Sequence, residues 1–338
     1  MTVQETTYST FLHFSAGLRS TQDEEGAVRF WPIGKNQGVE VTSFPDGKFG
    51  EIVANADLRC IGNEERVWSS GYEDRYWNPA LVPNLGANIA DWPGHDWAAL
   101  GNAHRERNED NPSRLSSAAG FHLMGASRRL MHISEWYHQM LLYAHLEGFH
   151  DRMAFSNSDH TNFLVDCHSF LNEAGSARDH ISAYAANAIA GLAGVGTLTK
   201  LAKRSSELPD GLKAIVAEAW QESTDKLTLK HIGRYRDEIV HERPIAALSK
   251  GLFETQSFDL GLDHPILGVK FDIQVWPDKK ADVKFDALRQ FHAMLRVLYE
   301  FGRAVISLAP IKPQAPTIIG GRGGVKVTPI PTRRIPFP

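Results

Sequence analysis

Between residues 118 and 310 apolar side chains recur every three to four positions, the period of helices that bury one face. The stretch SAAGFHLMGASRRLMHISEWYHQMLLYAHLEG, from about residue 118, is apolar on more than one side, so it predicts a long central helix. TNFLVDCHSFLNEAGSARDHISAYAANAIAGLAG predicts a second helix, ended by its glycines. PDGLKAIVAEAWQES begins on Pro209 and Asp210, a helix start, and gives a shorter third. A fourth is expected over about 227–242, where Leu229, Ile232, Ile239 and Val240 form one apolar face. HPILGVKFDIQVWP alternates like a strand. The segment from Asp282 to Ala309 then closes the bundle, with Val283, Leu288, Phe291, Leu295, Leu298 and Phe301 on its buried side.

Residues 1–115 have a different texture. They are rich in Gly, Pro and Trp, with alternating runs such as GAVRFWPIG and GVEVTSF that predict short strands and turns. Trp31, Trp68, Trp77, Trp92 and Trp97 concentrate there and are expected to anchor loop-rich structure onto the helices. DWPGHDW, residues 91–97, is a predicted turn. The last thirty residues hold seven of the 17 prolines and five basic residues without an acid, which predicts an extended tail. The expected architecture is mainly α: a mixed β/loop region over 1–115, a helical bundle over 116–310 with a small β insertion at about 244–280, and a basic tail over 311–338.

Composition narrows the class only slightly. Hydrophobic residues are 42% and charged residues 22%, the balance of a globular protein. No apolar run reaches the ~18 residues of a membrane span, and MTVQETTYST lacks signal-peptide regions, so a cytoplasmic protein with no membrane partner is expected. Cys60 and Cys167 are expected to be free thiols. A net charge of −4 gives no global pull on nucleic acid, so any such binding must use local basic groups.

The segment RYRDEIVHERP, residues 234–244, concentrates the candidate chemistry. Asp237 and His241 are four apart, neighbours on a helix surface, so the carboxylate can orient the imidazole. Arg236 and His241 are about 140° apart on an ideal helix and converge only if the helix ends near His241. Pro244 supplies that end by forcing Arg243 out of the helical region. An imidazole that titrates near neutrality can move protons, and a forked, permanently charged guanidinium can hold a phosphate. Lys230, Arg234 and Arg243 are the local basic groups expected to bind substrate. The bland alternative pairs Arg236 with Glu238 or Glu242 and leaves His241 to cap the helix C-terminus.

Arg-Asp-Glu-Ile-Val-His at the end of an amphipathic helix resembles the HEPN superfamily, whose signature is Arg, a polar residue, several variable residues and His. The resemblance covers roughly residues 118–310. It implies a helical bundle that dimerises so that two motif copies share one cleft, and a metal-independent endoribonuclease of the kind common in toxin–antitoxin and anti-phage systems. By position, Arg236 would stabilise the scissile phosphate, His241 would be the acid/base and Asp237 the orienting polar residue. RNA, a second copy of the chain and an antitoxin or regulatory protein are the implied partners, with no metal and no cofactor. Nearly forty residues separate His241 from the next clear helix, which departs from the family pattern.

Two other readings compete. One is a non-catalytic HEPN-type module that binds a nucleotide or a partner protein. The other is a di-iron four-helix bundle using Glu135 with His138, Glu238 with His241, and Asp166, Glu173 and Glu300; it shares His241 with the nuclease reading, so the two exclude each other. His132, Glu135 and His138 lack the zincin spacing. Asp166, His168, Arg178 and His180 on the second helix could line a cleft or simply face solvent.

Overall fold

The computed structural model describes residues 7–22, 28–35, 38–44, 46–69, 72–81, 94–221, 229–241, 251–262, 265–274 and 284–313. The N-terminal strands are β1 (Thr7–Phe14), β2 (Arg19–Gln22), β3 (Val28–Lys35), β4 (Gly38–Phe44), β5 (Cys60–Ser69) and β6 (Tyr72–Pro79), with helix α1 (Asp46–Asn55) between β4 and β5. They form one antiparallel sheet in the order β4-β3-β2-β1-β5-β6. Helices α2 (His95–Glu106), α3 (Asp110–Leu146), α4 (His160–Tyr184), α5 (Leu198–Lys203), α6 (Asp210–Trp220), α7 (Leu229–His241) and α8 (Ala287–Ser307) follow. A three-stranded antiparallel sheet joins β7 (Ala154–Phe155), β8 (Phe253–Phe258) and β9 (Ile266–Lys270). β10 (Asp272–Gln274) pairs with β11 (Lys284–Asp286). The chain is therefore mainly helical with a separate N-terminal sheet.

Helix α3 is central, as its many-sided apolar pattern predicted. Its 37 residues span about 55 Å, and it packs on α2, α4, α8 and the N-terminal sheet. It starts at Asp110 rather than near 118, with Pro112 in the first turn, where the missing N–H costs nothing. α2 begins at His95, inside the segment read as a turn, because Trp97, Leu100 and His104 all turn inward. Trp97 meets Tyr184 edge-on at 5.3 Å, the anchoring role expected of it. At the other end Tyr137, Phe163, Phe253 and Phe271 pack together, tying α3, α4 and the three-stranded sheet into one core.

The seam between the N-terminal sheet and α3 is polar. Glu64 of β5 is fully buried and accepts from Arg66 Nε at 2.8 Å and Arg75 Nε at 2.6 Å. Arg66 and Arg75 stand directly opposite each other on β5 and β6, a like-charge pair offset by the carboxylate they share and by Glu73 and Glu135 at its sides. His13 Nε2 lies 3.0 Å from Glu64 Oε2, and its Nδ1 lies 3.1 Å from Ser134 Oγ on α3. A carboxylate can only accept, so Nε2 carries the proton and Nδ1 accepts from the serine. Burial, reinforced by the Arg19 charge, holds His13 down at about 3, so it is neutral. Burial alone would raise the Glu64 carboxyl, but hydrogen bonds from His13 and Arg66 and the nearby positive charge hold it well below the ordinary carboxylate range. Arg75 also bonds Glu135 of α3, and His138 Nδ1 donates to Gly17 O at 2.9 Å. At the C-terminal side Arg289 of α8 pairs with Asp57 at 2.7 Å, and His292 bonds Ala80 O at 2.7 Å.

Candidate functional site

Helix α7 carries the motif. Leu229, Ile232, Tyr235 and Ile239 are buried at helical spacing, which settles the rotation of the helix against its neighbours. That rotation turns Arg236 toward α4. The two helices run antiparallel, with Gly175 facing Arg236 and Arg178 facing Gly233. The contact is close: a Cβ at Gly175 would lie 2.5 Å from Arg236 Cδ, and one at Gly233 would lie 1.8 Å from Arg178 Nη1. A mid-helix glycine costs about 1 kcal/mol against alanine, so two that each face an arginine of the other helix mark a place where arginines need the room.

Both arginines converge on Asp179 of α4. Arg178, which is buried, donates from Nε at 3.0 Å and Nη2 at 2.8 Å to Asp179 Oδ1. Its Nη1 reaches Leu229 O at 3.4 Å. Arg236 Nη1 lies 3.3 Å from Asp179 Oδ2, with 36% of its side chain exposed. Two guanidinium groups on one carboxylate leave a net positive centre, and Arg236 is its solvent-facing half. Next to it His180 stacks on His122 of α3, with centroids 5.2 Å apart and planes 5° apart, while His122 Nδ1 lies 2.7 Å from Glu173 Oε2. Burial, then the charges of His122 and Arg114, lower the His180 pKa.

The remaining motif residues are placed differently. Asp237 is exposed, and Glu238 is buried, with only 4% of its surface exposed. His241 is the last residue of α7, but its side chain and all of Arg243 lie outside the described residues. Lys230 stands over the Trp220 ring of α6 at 5.2 Å, away from the Arg236 face, and Arg234 is half-buried. The partner of Arg236 is thus Asp179 on another helix, where sequence distance suggested Glu238 or Glu242. Asp179 and Gly175 were not legible as site residues; the glycines inside helical pattern were the available signal.

The ligand set of the di-iron reading is dispersed. Glu135 bonds Arg75, His138 bonds Gly17 O, Asp166 takes Arg129 and the Trp136 indole, Glu173 takes His122, and Glu300 pairs with Arg296. Among the described residues no group of three or more His, Cys, Asp or Glu side chains is placed to hold a metal. Nor is any helix among them long and apolar enough to cross a membrane.

No family model, curated protein or solved structure matches this chain. The chemistry of the site rests on its own residues.

Proposed function

We propose that this protein is a metal-independent endoribonuclease of HEPN type, working as a homodimer on RNA, with Arg236 and His241 as its catalytic pair. The observation that carries the reading is the placement of Arg236. It leaves α7 five residues before the helix ends at His241, crosses Gly175, and is steadied by Asp179 while over a third of it faces solvent. An arginine so held is oriented without being neutralised, because Arg178 shares the same carboxylate.

In this reaction the 2′-hydroxyl attacks the adjacent phosphorus and the bond to the 5′ oxygen breaks, leaving a 2′,3′-cyclic phosphate and a 5′-hydroxyl. One imidazole takes the 2′ proton and an imidazole delivers a proton to the departing oxygen. Arg236 stabilises the charge that gathers on the phosphorane oxygens. Two facing copies of the motif supply both imidazoles and two guanidinium groups, which is the physical reason for a dimer. A toxin or anti-phage role, held in check by an antitoxin or regulatory protein in the cytoplasm, is the biological setting that suits such an activity.

The test is cleavage of labelled RNA by the purified full chain in excess EDTA. Cleavage should persist under chelation, and Arg236→Ala and His241→Ala should each lower the rate at least 100-fold, the scale of a lost acid/base or oxyanion group. Intact RNA with wild-type protein, or unchanged cleavage by both variants, rejects the assignment.

A further inference from the structure

Arg19 of β2 is buried without an acceptor. Its register partners are His13 on β1 and Trp31 on β3, so it lies on the sheet face that meets Ser134 and His138 of α3. Only 6% of the residue is exposed, and its guanidinium donates no hydrogen bond among the described residues. Nε is closed off from solvent, so Nη1 and Nη2 hold what contact with solvent the group keeps. Burial lowers the Arg19 pKa to about 10 and the nearby Glu64 and Glu135 charges counter it, so the group is charged at neutral pH.

The acceptors around it are already taken. Glu64 Oε1 accepts from Arg66 Nε and Arg75 Nε, and its Oε2 accepts from His13 Nε2 and Arg66 Nη2. Glu135 holds Arg75, and Glu73 holds Arg66 at the outer rim. Of the two imidazoles that feel the Arg19 charge, His13 accepts from Ser134 at Nδ1, and His138 spends its Nδ1 proton on Gly17 O. The contact that Arg19 makes is with the Trp31 ring, 5.8 Å from its centroid, which is weaker than a charged hydrogen bond. A charged group with five donors, sealed in and given no acceptor, is costly until an acceptor comes from outside.

The Nη1 and Nη2 pair is a planar fork of parallel N–H donors, which matches the two oxygens of a carboxylate. A phosphate brings a second negative charge near neutrality, close to Glu64 and Glu135, whose charges already reach Arg19. So little of Arg19 is exposed that the opening admits a compact acid and not a polypeptide. Trp31 gives that acid an apolar surface beside the fork. We infer that Arg19 anchors a binding site for a small monocarboxylate, held end-on by Nη1 and Nη2 with its body against Trp31. The site shares no residue with the Arg236 centre and does not depend on nuclease activity.

Thermal melting of the full chain in acetate, benzoate, inorganic phosphate and chloride at constant ionic strength tests it, since a ligand of the folded state raises the melting temperature by mass action. Acetate or benzoate should raise it saturably, and more than phosphate or chloride at the same concentration. Arg19→Lys, which keeps the charge and loses the fork, should weaken that binding at least tenfold. Arg19→Met should abolish it and, in carboxylate-free buffer, melt at or above wild type, because an uncompensated buried charge is gone. Arg107→Ala, an exposed arginine elsewhere, and Arg236→Ala should respond like wild type. No carboxylate response in the wild type, an unchanged response in Arg19→Lys, or a phosphate or chloride response as large overturns the site. Arg19→Met melting below wild type in carboxylate-free buffer also overturns it, by showing that the charge is balanced within the protein.

Discussion

Arg236 Cδ occupies the volume that a methyl group on Gly175 would need, 2.5 Å from where that Cβ would lie. The neighbour is a flexible side chain, so Gly175→Ala should fold, and the helix itself gains up to about 1 kcal/mol. Arg236 must then swing away from Asp179. We expect a melting temperature equal to or above wild type together with at least a tenfold loss of RNA cleavage, read by thermal melting and the cleavage assay on one preparation. Full activity in this variant removes the link between the helix contact and the chemistry.

Asp179 binds two guanidinium groups of unequal exposure, and Asp179→Ala should show both consequences. Arg178, with 6% of its side chain exposed, would be left as an uncompensated buried charge, a loss on the order of 3 kcal/mol. Arg236, with 36% of its side chain exposed, should lose position rather than stability. Urea unfolding should therefore reveal the destabilisation, and Arg236→Ala alone should cost under about 1 kcal/mol in the same measurement.

The polar seam of the sheet makes its own prediction. Glu64→Gln removes the one carboxylate that Arg66, Arg75 and His13 share at the centre of the seam. Breaking such a buried cluster from one side costs roughly 3–5 kcal/mol. A variant that unfolds in urea at the wild-type midpoint would show that the seam contributes nothing to stability.

Stability should also fall with acid in a specific window. Burial holds His13 at about 3 and His292 at about 4, against an ordinary value near 6.5. Below pH 6.5 the unfolded chain takes up protons that the folded chain refuses, so each of these histidines costs up to about 1.4 kcal/mol per pH unit until its folded value is reached. The depressed Glu64 carboxyl acts in the same direction, its contribution being lost as pH drops below the ordinary 4.5. The melting temperature should be level above pH 7 and decline from pH 6 to pH 4. His292→Gln should flatten part of that slope; a profile level down to pH 4 would contradict neutral, buried imidazoles.

Much of the helical layout was legible because burial on one face leaves a period in the sequence. Leu288, Phe291, Leu295, Leu298 and Phe301 were readable as the inner side of α8, and all are buried. The same logic identified α7 and its apolar face. It blurred where polar residues turn inward: His104 and Ser113 are buried at the start of the bundle and carry no apolar signal, so the helical region begins earlier than the pattern indicated.

For the site, the sequence by itself determined which chemical groups α7 carries and that its helix stops near His241, since both follow from neighbours in the chain and from Pro244. Only the tertiary structure decided that Arg236 meets Asp179 across Gly175, that Lys230 turns to Trp220, and that Glu64 gathers hydrogen-bond donors from β1, β5 and β6. Those pairings join residues up to 57 positions apart. Local periodicity can say which face of a helix is buried, but the partner of a charge depends on which other element packs there and at what register.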